Sequence, residues 1–414
     1  MEDQRTRRAV LRTGVAGAFA ATAGCSMLDP SSDSGLGRSQ GGSGGTGPEY
    51  PDTLFRADVQ RTGYWPGETV PDAVRTAWSV PGINKGDHTA AKASPLAYRG
   101  SIIVPGDVGT VFSYTPSGEL EWATALHPSG FSTHTTPVIA DGTLYTAGYD
   151  GAIYAIATAD GTVEWRTVVA DAIGSSPNYY DGVVYCATEF TDPSGGMVAL
   201  DAGSGEVRWE DTRVTDHAHS QAGIDPETGT LATGSNDGNV YVWDIDTGEF
   251  RGEFETARAV KGPICIHDGV ALFGSWDNYV YAVDVETLEA RWWDRTDNDV
   301  MSGVAVHPDR GIAYVGGHDR QLHAYDIETG ALEWVVDTDG WIVGSPNVVG
   351  DTVLVGSYDT TLYAVDAGDG IIRWTYREPD GWVTSSPAVY DGDVYVTARA
   401  SDDTTGHLYK LSPA

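Results

Sequence analysis

A tryptophan returns along this chain at Trp78, Trp122, Trp165 and Trp209, and again at Trp292, Trp334 and Trp374, with neighbouring members of each run 40 to 44 residues apart. Phe254 is taken to fill the gap between Trp209 and Trp292. A repeat of this length built from strands marks the blades of a propeller, whereas helical repeats of similar length form solenoids. A unit this small cannot bury both faces of its own sheet. Stacking units in a ring does so, and an indole is large enough to fill the wedge between two sheets.

Each unit follows one grammar. It begins after Ser-Pro or an equivalent, as at Ser94-Pro95, Thr136-Pro137, Ser176-Pro177, Ser345-Pro346 and Ser386-Pro387. A first turn follows at Asp141-Gly142, Asp181-Gly182, Asp268-Gly269 or Asp391-Gly392, then a second at Asp150-Gly151, Asp237-Gly238 or Asp277-Asn278. A third turn carries Gly161, Gly205, Gly248, Gly330 or Gly370 before the strand that ends on the tryptophan. Asp-Gly between apolar runs is a strong hairpin signal because such turns need positive φ. Three turns join four antiparallel strands, which is one blade.

Seven units are contiguous. The eighth starts at Ser386-Pro387 and reaches Leu408-Tyr409-Lys410-Leu411, where the chain ends before a tryptophan strand. Val74 to Val80, around Trp78, supplies the missing strand. The expected fold is therefore an all-β, eight-bladed β-propeller over residues 50–414, its last blade closed by an N-terminal strand. Phe55 to Trp65 becomes a lead-in lying on the ring.

The N-terminus reads as an address. Arg7-Arg8 with Leu11 resembles a twin-arginine signal, and Thr22-Ala23-Gly24-Cys25 resembles the lipobox of exported lipoproteins. Residues 1–24 are assigned to a signal peptide, Cys25 to lipidation, and 25–49, rich in Gly and Ser, to a flexible tether. The expected location is outside the cell, lipid-anchored to the outer face of the cytoplasmic membrane. The other two cysteines, Cys186 and Cys265, sit in apolar strand-like runs and read as buried free thiols.

The chain carries 25 basic against 59 acidic residues, a net charge of −34. Such a surface repels phosphates and excludes nucleic acid as a partner. It has the composition of a halophile, of the haloarchaeal type, in which salt screens the self-repulsion.

The blade ends resemble the tryptophan-docking motif of quinoprotein (PQQ-repeat-like) propellers, A-x-D-x-x-T-G-x-x-x-W. It reads Ala199-Leu-Asp-Ala-Gly-Ser-Gly-Glu-Val-Arg-Trp209, and recurs from Ala324 to Trp334 and from Ala364 to Trp374. One unit, Gly238 to Asp244, resembles a WD repeat instead. Two branches of the quinoprotein family frame the function. Pyrroloquinoline-quinone dehydrogenases hold quinone and calcium in the central funnel and typically stack the quinone on a disulfide of adjacent cysteines, which this chain lacks. BamB-like exported lipoproteins are non-catalytic and bind other proteins. Signal, size and blade count resemble the second branch, which implies a monomeric, membrane-anchored protein-binding or assembly scaffold, not an enzyme. A quinone-dependent dehydrogenase and a small-ligand or glycan receptor are the alternatives.

The loops between blades and the second turns should surround one mouth of the channel. They carry His88, Lys92, His134, His217, His219, Lys261, Trp341 and Trp382 in the first set, and Tyr149, Trp276, His318 and Tyr358 in the second. This concentration of basic and aromatic groups on an acidic protein suits an anionic or peptide-like partner. His217 and His219 are potential metal ligands, but no third ligand is visible in the sequence and no metal is assigned. No Gly-x-Ser-x-Gly, His-Glu-x-x-His or phosphate-loop template is present.

Overall fold

A computed structural model describes residues 48–50, 52–84, 93–127, 132–377, 381–399 and 405–414. The signal and lipidation residues Arg7, Arg8 and Cys25, the tether up to residue 47, and the site candidates His88 and Lys92 lie outside these described residues. Among the described residues the only helical element is a 3-10 turn, Pro308–Arg310, and no helix is long and apolar enough to cross a membrane.

The strands form eight separate sheets, each an antiparallel meander. Blade 1 runs from Leu96 to Ala125, blade 2 from Val138 to Val168, blade 3 from Asn178 to Val214 and blade 4 from Gly223 to Glu255. Blade 5 runs from Cys265 to Arg295, blade 6 from Ala305 to Asp337 and blade 7 from Asn347 to Arg377. Blade 8 takes Ala388–Tyr390, Asp393–Arg399 and Gly406–Pro413 from the C-terminus and Val74–Asn84 from the N-terminus. Val74 pairs with Pro413 and Trp78 with Lys410, so the ring closes as the sequence requires. The Asp-Gly first turns adopt positive φ at both central residues, for example 50° at Asp141 and 80° at Gly142. That backbone twist matches the twist of the flanking strands.

The core is divided into eight apolar clusters, one in each interface between neighbouring blades. Each docking tryptophan bridges to the next blade. The indole N–H of Trp122 donates to the Thr158 carbonyl at 2.9 Å, that of Trp165 to Ala202 at 2.9 Å, and that of Trp292 to Ile327 at 2.7 Å. The ring lies on the third-turn glycine of that blade. A Cβ on Gly330 would stand 2.6 Å from the Trp292 indole, and its φ is +71°, so glycine is required twice over. The Ser or Thr before each proline clasps the inner rim. Ser94 N–H donates to Thr136 Oγ1, Thr136 N–H to Ser176 Oγ and Ser386 N–H to Ser94 Oγ, each at 2.9 Å.

One expectation is corrected. Phe254 does not hold the tryptophan position of blade 4. In the other blades the tryptophan faces a residue such as Ala199 or Ala282 just before the strand's bulge; in blade 4 that partner is Val242, and it faces Gly252. Blade 5 compensates, carrying Leu288 where other blades have the third-turn glycine. The Leu288 side chain reaches the space a Cβ at 252 would need, with its Cδ1 2.3 Å from that point. Phe254 packs two register pairs farther along, opposite Val240 and edge-on to Phe273 and Tyr281.

The lead-in is a plug. Thr53–Leu54 adds a fifth strand to blade 2, and Tyr64–Trp65 adds one in parallel to blade 7. Between them the chain passes the inner strands of the intervening blades. Ile224, Ile266, Val306 and Val348 donate their N–H groups to the carbonyls of Val59, Gln60, Thr62 and Gly63. Arg56 and Arg61 are fully buried and spend their guanidinium donors on backbone carbonyls, Arg61 reaching Ala222, Phe55, Ser176 and Pro177. The segment meets the first-turn side of the blades, with Tyr64 Oη bonded to Asp309 and Tyr50 edge-on to Tyr180. The opposite mouth is ringed by the inter-blade loops and second turns, and among the described residues none crosses it.

Candidate functional site

A repeated backbone bond sets the rim of the open mouth. The residue opening a second turn donates its N–H to the neighbouring inter-blade loop: Tyr149 to Ser132, Trp276 to Ala259, His318 to Asp299 and Tyr358 to Trp341. The aspartate one or two positions on then anchors the turn by accepting from a ring group four residues later, as in Tyr281 to Asp277 at 2.8 Å and Tyr363 to Asp359 at 2.7 Å. Aromatic side chains at these places are thus held side by side rather than scattered.

On blades 5 to 8 they form a continuous arc. Lys261 Nζ lies 4.1 Å from the centre of the Trp276 ring. Trp276 neighbours His318 at 6.5 Å, His318 stacks on Trp341 at 4.7 Å, Trp341 meets Tyr358 at 5.9 Å, and Tyr358 stacks on Trp382 at 4.6 Å. Arg399 closes the far end, its guanidinium carbon 4.9 Å from the Trp382 ring. Trp341 is 46% exposed. Three predicted residues, Trp276, Trp341 and Trp382, are therefore brought together, with a cation on each flank. Arg399 was missed; it ends an ordinary strand, and the short strand Trp382–Val383 pairs with that end so that Trp382 faces Arg399.

Inside the arc a narrow funnel descends to Phe55 of the plug, lined by His134, Gln221, Lys261, Met301 and the hydroxyl rim. Of the residues singled out in the sequence, His134 and Lys261 line this funnel. His134 Nδ1 is 3.1 Å from Tyr149 Oη. Burial lowers the Lys261 ammonium, while Asp216 and Glu189 hold it up. Burial raises the Tyr149 phenol, and the Glu189 charge adds to that.

His217 and His219 sit apart from the arc, on the loop between blades 3 and 4. Beside them is Glu189, buried at the end of Val183–Phe190, which sequence reasoning did not single out. Burial works to raise the Glu189 carboxyl, but the hydrogen bond and charge of His219, the Gly174 N–H and His217 hold it below its ordinary value.

Blade architecture, docking tryptophans and N-terminal closure define a propeller of the quinoprotein type. The chain belongs to the family whose model is described as the outer membrane protein assembly factor BamB, which matches residues 75–292 and 276–413. Among solved structures it resembles a quinohemoprotein alcohol dehydrogenase from Comamonas testosteroni, with a TM-score of 0.74 and 14% identity over 88% of this chain and 81% of that one. It also resembles BamB from Moraxella catarrhalis, with a TM-score of 0.65 and 14% identity over 82% of this chain and 98% of that one. At such identities the likeness is one of fold. A serine/threonine-protein kinase, AfsK of Streptomyces griseus, is 29% identical over 66% of this chain, which spans 34% of that protein's length.

Proposed function

We propose that the protein is a non-catalytic, exported scaffold, tethered to the membrane through Cys25, that grips a segment of a partner protein at the open mouth. The observation that carries this reading is the stacked arc from Trp276 to Trp382 with a cation at either end. Rigid rings supply contact area at little entropic cost, and Lys261 and Arg399 offer donors to backbone carbonyls or carboxylates of an extended chain. The plug supports a single working face, because it occupies the other mouth. The family's description, an assembly factor, agrees with a binding role.

Crosslinking in the native cell followed by mass spectrometry tests it. A reproducible protein partner should be captured by the wild type and lost from Trp341→Ala/Trp382→Ala, while that variant keeps its unfolding midpoint. Failure to capture any reproducible partner, or equal capture by the variant, would sink the proposal.

The dehydrogenase reading is favoured by the likeness to the Comamonas enzyme. The donor set argues against it. Calcium needs hard oxygen ligands, usually carboxylates. The described funnel lining offers an imidazole, an ammonium, an amide and hydroxyls but no carboxylate, and Cys186 and Cys265 are buried in separate blade interfaces. Dye reduction with an alcohol or sugar after adding the quinone and calcium would reinstate that reading.

A further inference from the structure

On the side of the mouth built by blades 2 to 4, Glu189, His217 and His219 converge from two elements distant in sequence. The geometry points to a binding site for one first-row divalent cation of the zinc class, held by the Glu189 carboxylate, His217 Nδ1 and His219 Nδ1. The site is independent of the partner-binding arc.

The separations suit ligands around a shared ion, which would take the place of the hydrogen bond between His219 and Glu189. His219 Nδ1 lies 3.0 Å from Glu189 Oε1 and His217 Nδ1 lies 3.8 Å from Oε2. One donor atom from each residue falls within 4.8 Å of the others. Two atoms each about 2.1 Å from a tetrahedral zinc stand roughly 3.4 Å apart. The two observed separations bracket that value.

The outer nitrogen of His217 is already engaged. His217 Nε2 lies 3.1 Å from the Phe190 carbonyl, which can only accept, so Nε2 carries the hydrogen. Nδ1 is thereby left facing Glu189 Oε2 at 3.8 Å. That separation is too long for a hydrogen bond and is of the size that a bridging cation spans. A carbonyl fixing the outer nitrogen of a ligating histidine is a common arrangement at metal sites. The carboxylate is oriented too, since Gly174 N–H donates to Oε1 at 2.9 Å.

Space is kept for the ion by a glycine. A Cβ on Gly174 would lie 2.8 Å from His219 Nδ1 and 2.9 Å from Glu189 Oε1, filling the approach to both. The carboxylate is nearly buried at 5% side-chain exposure, whereas the imidazoles are 34% and 29% exposed. Three protein donors with the histidines facing solvent leave a coordination position open on the mouth, as in sites that bind an exchangeable ligand. Two imidazoles with one carboxylate favour zinc-class ions over calcium or magnesium, which prefer all-oxygen shells. The many surface carboxylates of this chain bind divalent ions loosely and lack that preference.

Cobalt(II) tests this directly, titrated into the chelator-treated full chain in high salt. We expect ligand-field absorption that saturates at one ion per chain, is displaced by zinc and is untouched by millimolar magnesium. His217→Ala/His219→Ala should weaken binding by at least about 100-fold while the thermal transition is retained. The imidazoles are replaced because Glu189 is buried and its loss risks the fold. His267→Ala, outside the cluster, should titrate as the wild type does. Absence of a saturable band, or a band of equal affinity in the double variant, overturns the site.

Discussion

Leu288 and Gly252 show how one residue's size is set by a residue in the neighbouring blade. In most interfaces an indole lies on a glycine; here a leucine enters the space above a glycine. Leu288 pays for this with a φ of 55°, a left-handed conformation that side chains disfavour. The pair should therefore be coupled. Gly252→Trp alone overpacks against Leu288, and Leu288→Gly alone leaves a void. Each should cost about 1–3 kcal/mol. Gly252→Trp/Leu288→Gly removes the clash and fills the void, although the φ of 149° at position 252 still strains the added side chain, and denaturant unfolding of the four proteins should show a favourable coupling of at least about 1 kcal/mol. Additive costs would show that the two residues fill separate spaces.

At the scale of the element, the third turn is a small electrostatic device. Asp244 accepts from Asp246 N–H, Thr247 N–H and Thr247 Oγ1, and its other oxygen pairs with Arg251 at 2.7 Å. Asp284 repeats this with Thr287 and Arg291. The Thr247 N–H leads for Asp244 and the Arg291 guanidinium for Asp284, and with the other turn bonds they hold both carboxyls down to about 2. A carboxyl depressed in the folded state contributes stability that is full above its unfolded value near 4 and is lost as pH falls through its folded value near 2. Asp284→Asn should therefore be less stable than wild type at pH 7, and the gap between the two unfolding midpoints should narrow as pH falls from about 4 to about 2. A gap unchanged across that window would mean that the carboxylate charge is immaterial to the turn.

For the whole molecule, a net charge of −34 opposes a fold that closes on itself through one composite blade. Repulsion acts on every interface at once, and ring closure leaves no blade free to relax alone. Screening length falls from about 10 Å at 0.1 M salt to about 3 Å at 1 M. The thermal midpoint should rise steeply between these concentrations of KCl, as a single cooperative transition. A midpoint independent of salt would show that the acidic surface is already offset by short-range pairs such as Arg310 with Asp351 and Lys410 with Asp393.

Architecture was legible because it is written locally and eight times over. Asp-Gly turns, Ser-Pro starts and docking tryptophans each obey a short-range rule, and repetition averages out the exception at Gly252. Even that exception had a signal: counting from Asp244 along the motif puts the tryptophan position at Gly252, with Arg251 seven residues from Asp244 as Arg208 is from Asp201. The mouth was legible as a composition, since loop residues can be assigned to one face from strand order. How they combine was not. The stacking of Trp276 through Trp382 depends on distances between successive blades, and the meeting of Glu189 with His217 and His219 depends on a strand end in blade 3 facing a loop some thirty residues later. Nor does any local rule bury Arg56 and Arg61, because the carbonyls that satisfy them come from several blades at once. The chain's pattern settles which strands form and in what order; only the closed ring settles which side chains share a site, because that proximity is created when the last blade borrows its strand from the other end of the chain.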